Sequence, residues 1–204
     1  MKINGFKEKE IVWRRKEILV AARKVFINKG FYRATMDDIA AAIGISKGAV
    51  YLYFPSKEKL FIAIIEQGLK ERTEMLKDII GKNTDCLSKI KEYINRAFVF
   101  VENNRDLVQM FMMLERDLVC SDLHQKIHGQ AIKEMERSIE YLTAIIRQGV
   151  KEKSLKDVDP GNMALGLNGI IQMFIMRAIF TKTTKAHEKE KSFILEAFLE
   201  GVKA

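Results

Sequence analysis

The sequence predicts an all-α fold of about nine helices. Only 2 of the 204 residues are proline and 12 are glycine, whereas charged residues make up 30% of the chain. Such a composition favours long helices over β-sandwiches or disordered chain. Apolar residues recur at helical spacing through most of the sequence, and no stretch of useful length alternates as a strand does. Because 48% of the residues are hydrophobic, the chain can bury a substantial core.

The first two helices are predicted from their end signals. A periodic, basic segment over about residues 9–28 ends at Gly30, which is a typical helix stop. Thr35 then precedes the segment MDDIAAAIG as an N-cap residue. Asp38 at the third helical position completes a capping-box pattern, and Gly44 supplies the next stop. The second helix should therefore have only two turns.

The third helix and the domain boundaries follow from the next signals. Ser46 caps the segment KGAVYLYF, which must end before Pro55 because the residue preceding a proline is disfavoured in the helical region. A helix, a tight turn and a second short helix form a helix-turn-helix pattern. We therefore predict a helix-turn-helix domain at 1–55, a long connecting helix at 56–80 and a second helical domain at 81–204.

The basic residues are concentrated at the N-terminal end. The formal net charge is +8 for the whole chain and +7 for residues 1–60, where 13 Lys and Arg stand against 6 Asp and Glu. The remaining 144 residues carry a net charge of only +1. This asymmetry indicates a polyanionic partner at one end, either nucleic acid or an anionic membrane surface.

Several other classes of protein have little support. Cys86 and Cys120 lack CxxC spacing, so neither a disulfide framework nor a zinc site is predicted, and a reducing cytoplasm is the expected location. Charges interrupt the apolar residues of the N-terminal segment, and no small-residue cleavage site follows, unlike in a signal peptide. The apolar segment 163–180 contains two amides and an arginine, which are costly in lipid, so we expect a buried helix and no membrane partner.

No catalytic or metal site is predicted. His124 and His128 lie four residues apart and would share one helix face, but no acidic or cysteine ligand follows at a matching spacing. The sequence also lacks a nucleophile motif and a glycine-rich phosphate loop. We therefore expect neither enzymatic activity nor a cofactor.

The third helix is predicted to have one buried and one exposed stripe. Val50 and Phe54 lie four residues apart and form an inward stripe, whereas Lys47 and Tyr51 form a second stripe rotated away from it. The small residues that follow Lys47 would let the start of this helix approach a phosphate or a groove wall closely. Tyr hydroxyls can reach phosphate oxygens, and the rings can contact a thymine methyl group.

Two stretches carry a resemblance to a known family. The segment ILVAARKVFINKGF and the later segment ATMDDIAAAIGISKGAVYLYFPSKEKLF resemble the N-terminal DNA-binding domain of TetR-family transcriptional regulators, over about residues 14–62. Beyond residue 62 the resemblance lies only in length and helical pattern. It implies a three-helix DNA-binding domain, a connecting fourth helix, and a C-terminal bundle that dimerises and holds an effector.

The resemblance also implies roles for individual residues. Thr35 and Lys57, at the starts of the second and fourth helices, would contact phosphates. The DNA-facing side of the recognition helix would carry Ser46, Lys47, Gly48, Ala49, Tyr51 and Tyr53. Leu52 stands where many members carry an aromatic or polar residue, and Tyr53 where many carry histidine. These departures affect the expected base preference and leave the docking mode unchanged.

The C-terminal part is expected to bind a small molecule. Seven of the ten methionines follow residue 105, and flexible methionines let an interior adapt to apolar ligands, although a single Met also serves as ordinary core filler. Asn168 and Gln172 should either fix a ligand or cross a dimer interface, and Arg177 should meet an anionic ligand head or solvent. The predicted effector-binding residues are Phe98, Met110, Phe111, Met113, Met135, Asn168, Gln172, Met173 and Met176.

Three classes of function compete at this point. The first is a ligand-responsive repressor that leaves a palindromic operator in double-stranded DNA when a small apolar or amphipathic effector binds. The others are an architectural DNA-binding protein without an effector and, with least support, an enzyme. Only the first accounts together for the basic N-terminal segment, the short capped helices and the separate apolar body. We expect a homodimer built on the last two helices, at about residues 160–181 and 186–202.

Overall fold

A computed structural model describes residues 3–117, 121–157, 159–180 and 187–202, without the side chains at 3–8, 111, 114–117, 178–180 and 187. Within these residues the chain forms nine helices and no strand, which confirms the predicted all-α fold. The helices are α1 (Ile3–Lys29), α2 (Met36–Ala42), α3 (Lys47–Tyr53), α4 (Lys57–Ile80), α5 (Cys86–Asn103), α6 (Arg105–Asp117), α7 (Asp122–Lys151), α8 (Pro160–Phe180) and α9 (His187–Val202).

The turns between the first helices form where the sequence predicts them. Gly30 and Gly44 adopt φ angles of 78° and 67°, the left-handed region that glycine enters at little cost. Helix α1 begins at Ile3, six residues earlier than predicted. No proline interrupts the segment before Lys9, so the helix extends beyond the part that has clear apolar periodicity.

The chain divides into two compact units. The first comprises Met1–Gly68 and Asp106–Gln130, and the second comprises Leu69–Arg105 and Ala131–Ala204. In the first unit, three aromatic rings form the centre of the core. Phe26 and Phe31 each meet Phe61 edge to face, with ring centroids 5.2 and 5.1 Å apart. These contacts connect α1 and the loop that follows it to α4.

The second unit has its own core. Helix α5 packs against α8 and α9 there, and α4 and α7 also contribute apolar side chains. Fully buried members include Tyr93, Phe98, Leu142, Ile171 and Ile194. At about 25 cal/mol per Å² of buried apolar surface, such a core is the main source of stability in a helical bundle.

Gly149 of α7 allows a close approach within this second core. A Cβ atom at this position would lie 2.5 Å from Cys86 Sγ and 2.7 Å from Leu155 Cδ1, and both neighbours are buried. We expect Gly149→Ala to lower the free energy of unfolding by about 1 to 3 kcal/mol, because a well-packed core resists added volume. Urea denaturation followed by circular dichroism measures this change.

Gly129, in the same helix, supplies the control. A Cβ there would meet nothing within 4 Å, and alanine is a better helix former than glycine. Gly129→Ala should therefore raise stability by about 0.5 to 1 kcal/mol. Equal effects of the two substitutions would show that Gly149 has no special packing role.

Candidate nucleic-acid interface

The start of α2 is held by a capping box. Thr35 Oγ1 accepts a hydrogen bond from the backbone N–H of Asp38 at 3.1 Å, and the Thr35 N–H donates to Asp38 Oδ2 at 3.0 Å. Lys29 Nζ donates to Asp38 Oδ1 at 2.6 Å. The predicted capping-box pattern is therefore confirmed, and it fixes the exposed Thr35 at the helix start.

The capping carboxylate is ionised over a wide pH range. Hydrogen bonds from Lys29 and then from Thr35 lower the pKa of Asp38 from 3.8 to about 2. A depressed pKa in the folded state adds stability above the unfolded-state pKa, and this contribution disappears only as the pH falls toward the folded-state value. The box therefore remains intact throughout the neutral and mildly acidic range.

Helix α3 presents the two faces that its sequence predicts. Ser46 caps it, accepting from the N–H of Ala49 at 3.1 Å. Val50 and Phe54 are buried, at 0% and 1% exposure. On the opposite side, Lys47 and Gly48 at the helix start are exposed. The predicted division of this helix into buried and exposed stripes is thus confirmed.

The exposed face of α3 also carries apolar surface. Tyr51 is 43% exposed and Leu52 is 86% exposed, while Tyr53 and Ala49 are half-buried. Because it is so exposed, the Leu52 side chain contributes almost no buried apolar surface to the core. Sequence reasoning did not include Leu52 among the site residues, although its position one residue after Tyr51 already placed it away from the Val50 stripe.

Lys47 has a partner within the same unit. Its Nζ lies 2.7 Å from Asp37 Oδ2 in the first turn of α2, and this contact raises the pKa of Lys47. Both side chains are more than half exposed, so the pair is weak and easily exchanged for another anion. A phosphate oxygen can therefore replace Asp37 at low cost.

Arg15 of α1 supports the end of α3. Its Nη1 donates to the carbonyl oxygen of Tyr53 at 3.2 Å, and its guanidinium carbon lies 4.2 Å from the centre of the Phe54 ring. Arginine combines a cation–π contact with a hydrogen bond in this way because its charge is delocalised over a plane. In the sequence, only the basic run WRRK at residues 13–16 marks this position.

Lys57, at the first position of α4, points back to the loop after α1. Its Nζ donates to the carbonyl oxygens of Phe31 at 2.8 Å, Tyr32 at 3.2 Å and Ala34 at 3.0 Å. The same nitrogen lies 4.6 Å from the centre of the Phe31 ring. An ammonium group has three donors, so all three are engaged within the unit.

The predicted effector-binding residues are distributed over both units. Met110 and Met113 belong to the first unit, whereas Phe98, Met135, Asn168, Gln172, Met173 and Met176 belong to the second. The side chain of Phe111 lies outside the described residues. Phe98, Met110 and Asn168 are buried, but Met135 and Met173 are 45% and 70% exposed. Which of these residues contact an effector stays a prediction.

Asn168 joins a polar cluster instead of standing alone in its helix. Its Oδ1 accepts from Arg72 Nη2 and from the Tyr93 hydroxyl, both at 3.0 Å. The amide orientation that satisfies both ends of Gln172 places its oxygen 3.0 Å from Arg72 Nη1 and 3.1 Å from Nη2. The two amides stand out in the sequence of an apolar helix, but Arg72 does not, because it lies 96 residues before Asn168.

Two other side chains singled out in the sequence also have neighbours. Arg177 forms an ion pair with the buried Glu190 of α9, so it meets a carboxylate of its own chain. The rings of His124 and His128 lie with centroids 5.4 Å apart. Among the described residues, no three His, Cys, Asp or Glu side chains are grouped so that they could hold a metal ion.

None of the described helices has the length and hydropathy required to cross a bilayer.

Comparison with known proteins identifies relatives of this chain. Residues 18–64 match the family described as bacterial regulatory proteins, tetR family. This segment contains α2, α3 and the start of α4. The HTH-type transcriptional regulator YfiR of Bacillus subtilis (strain 168) is 30% identical over 165 residues, which cover 78% of each chain.

Two solved structures share the fold. A chain from Mesorhizobium loti MAFF303099, assigned to the TetR family, superposes with a TM-score of 0.77 at 19% identity, covering 95% of this chain and 98% of that one. FadR from Bacillus subtilis, solved in complex with stearoyl-CoA, gives a TM-score of 0.74 at 19% identity and covers 91% and 98%. The relatives are transcriptional regulators and not enzymes. From its matched DNA-binding segment and its similarity to YfiR over most of both chains, this protein belongs to the TetR family of transcriptional regulators.

Proposed function

We propose that this protein is a cytoplasmic, dimeric repressor that binds a palindromic DNA operator and is released from it by a small apolar or amphipathic effector. The observation that carries the DNA-binding part is the exposed face of α3. A helix of seven residues, capped at Ser46 and packed through Val50, leaves Lys47, Tyr51 and Leu52 at the surface. No cofactor is needed for this activity.

The chemistry of this face suits a major groove. The N-terminus of α3 brings the positive end of its helix dipole and Lys47 to the surface, which favours phosphate oxygens. Tyr51 adds a hydroxyl group, and the side chain of Leu52 can contact a thymine methyl group. The net charge of +7 over residues 1–60 adds a sequence-independent attraction to the phosphate backbone.

A footprint on the DNA upstream of the protein's own gene and its neighbours tests this part. With the protected fragment in hand, we expect Lys47→Ala to weaken binding several-fold and to reduce the slope of log K against log salt by roughly 1. Lys91→Ala is the control, because Lys91 is an exposed lysine of α5 in the second unit. Equal salt slopes for the two variants would remove Lys47 from the interface.

The dimer is proposed from the surface of α8. One apolar face of α8 is exposed and contains two glycines that allow close approach. Its residues, which recur at helical spacing, are Leu165, Gly166, Gly169, Ile170 and Met173. A monomer rarely exposes so continuous an apolar face. Pairing two copies through this face and α9 would place two recognition helices in successive major grooves, roughly 34 to 36 Å apart.

The effector is proposed from the composition of the second unit and from the fold shared with a regulator that was solved in complex with stearoyl-CoA. FadR from Bacillus subtilis was crystallised with stearoyl-CoA, and the methionine and phenylalanine residues here suit an apolar ligand. Helix α4 contributes Lys57–Gly68 to the first unit and Leu69–Ile80 to the second. A tilt of this continuous helix would transmit effector binding to the residues packed around Lys57.

Release of DNA requires differential binding. An effector with equal affinity for both dimer spacings shifts nothing, and typical couplings of about 1 to 3 kcal/mol correspond to roughly 5- to 150-fold changes in operator affinity. Titrating long-chain acyl, aromatic and cationic compounds against the protein and against the protein–operator complex measures this coupling. If a compound binds to the second unit without changing operator affinity, the protein is better described as an architectural DNA-binding protein without an effector.

A further inference from the structure

The polar cluster around Arg72 lies inside the core of the second unit. Arg72 comes from α4, Tyr93 from α5, and Asn168 and Gln172 from α8. Tyr93 and Asn168 are 1% and 5% exposed, and Arg72 is half-buried. The cluster therefore places a guanidinium at the boundary between solvent and an apolar interior.

Among the described residues, the cation in this cluster has no acidic partner. Its hydrogen-bond acceptors are the carboxamide oxygens of Asn168 and Gln172, which are neutral. Among the described residues Arg72 forms no ion pair, whereas Arg96 contacts Asp78 and Arg137 contacts Glu134. Partial removal of a charge from water is unfavourable unless an opposite charge compensates for it. An anion bound next to Arg72 would supply the missing opposite charge.

The neighbours of Arg72 hold its guanidinium in place. The two amide oxygens restrict the orientation of the plane, and the buried Tyr93 hydroxyl donates to Asn168 and so holds that amide. A guanidinium has five N–H donors in a fixed fork. Asn168 and Gln172 accept from Nη1 and Nη2, so a carboxylate would meet the N–H groups that these two amides do not occupy, in charge-assisted hydrogen bonds. Lysine would offer a point charge without this geometry.

The surroundings define the rest of the ligand. Leu76, Leu167, Ile171 and Ile175 all belong to the same buried cluster as Tyr93. Gln172 and Met176 lie one turn apart on α8, so the apolar Met176 side chain lies next to the polar Gln172 on the same helix face. A ligand held by Arg72 would therefore have an apolar body beyond its anionic end.

We propose that Arg72 binds the carboxylate of an anionic amphiphile, with Asn168 and Gln172 as residues that orient its guanidinium. This inference rests on the proposed effector-responsive function and specifies the charge of the effector. It predicts selectivity for the charged over the neutral form of one hydrocarbon chain.

The test compares decanoate with 1-decanol on the full-length protein. Equilibrium dialysis gives the dissociation constant of each probe for the wild type, Arg72→Gln and Arg147→Gln. Arg147 is the control, because it is an exposed arginine of α7 in the same unit and its replacement changes the net charge equally. We expect the wild type and Arg147→Gln to prefer decanoate by at least about 10-fold, as a buried charge-assisted pair would give.

In Arg72→Gln the preference for decanoate should disappear while the affinity for 1-decanol is unchanged. Arg72→Lys keeps the charge without the fork and should retain only part of the preference, which also guards against a folding defect in the glutamine variant. Unchanged selectivity in both Arg72 variants would overturn the proposal, as would a wild-type protein that binds neither probe or prefers the alcohol. A purely structural Arg72 would lower the unfolding temperature in these variants without changing selectivity.

Operator binding is measured separately on the same proteins without probe. Failure to bind any upstream fragment would contradict the proposed regulator and leave the dialysis result standing. A wild-type protein that binds its operator normally but shows no preference for decanoate, or Arg72 variants that keep that preference, would contradict only the inference about Arg72.

Discussion

Replacement of Leu165 and Met173 by glutamate should convert the protein into a monomer and reduce operator affinity by more than about 100-fold. These side chains are 55% and 70% exposed on the apolar face of α8, so glutamate there costs nothing in the isolated chain. In a dimer it would bury four carboxylates without partners. Two linked recognition helices bind a palindrome far more tightly than one, typically by 10²- to 10⁴-fold.

Sedimentation at micromolar concentration and operator titration measure the two effects together. Val99→Glu is the control, since Val99 of α5 is also an apolar residue of the second unit and is 44% exposed. It should leave the dimer and the operator affinity unchanged. A double α8 variant that sediments as a dimer would place the dimer interface elsewhere, and a wild-type protein that sediments as a monomer would exclude the dimer altogether.

Replacement of Lys57 by methionine should lower the free energy of unfolding by about 2 to 3 kcal/mol. The substitution removes an ammonium that donates to three carbonyl oxygens of the loop after α1. The expected loss corresponds to about one hydrogen bond to a charged group, because Lys57 is only half-buried and water can satisfy part of the freed carbonyl oxygens. Methionine keeps most of the hydrocarbon volume. Fluorescence of Trp13, the single tryptophan, reports on the unit in which the change is made.

Lys59→Met is the matched control, because Lys59 is an exposed lysine in the same turn of α4. It should change stability by less than about 0.5 kcal/mol. Equal stabilities for both variants would contradict the supporting role of Lys57. The salt slope of operator binding then tests the phosphate contact predicted from the sequence: a fall of about one keeps Lys57 in the interface, and an unchanged slope removes it.

The parts of the structure that follow from short-range signals were predictable. Thr35, Asp38 and Gly44 fix the ends of α2 through bonds or backbone angles that involve residues only a few positions away. The stripe of Val50 and Phe54 follows from helical periodicity alone. For this reason the helix-turn-helix and the general course of the described helices could be predicted without a structure.

Contacts between distant segments could not be predicted in the same way. Lys57 bonds to carbonyl oxygens up to 26 residues before it, and Arg72 bonds to an amide 96 residues after it. Neither residue differs in the sequence from other lysines and arginines on long helices. Their partners depend on how the helices pack, which a single sequence does not specify.

The shortness of α2 and α3 affects how mutations would distribute in a genetic screen. Each helix has seven residues, whereas isolated helices shorter than about 12 to 15 residues are marginal in water. The surface that we propose to face DNA therefore depends for its order on the packed core of the first unit, which includes Phe26, Phe31 and Phe61. Alleles that abolish operator binding should map to such buried positions about as often as to exposed ones, and many of them should be temperature-sensitive.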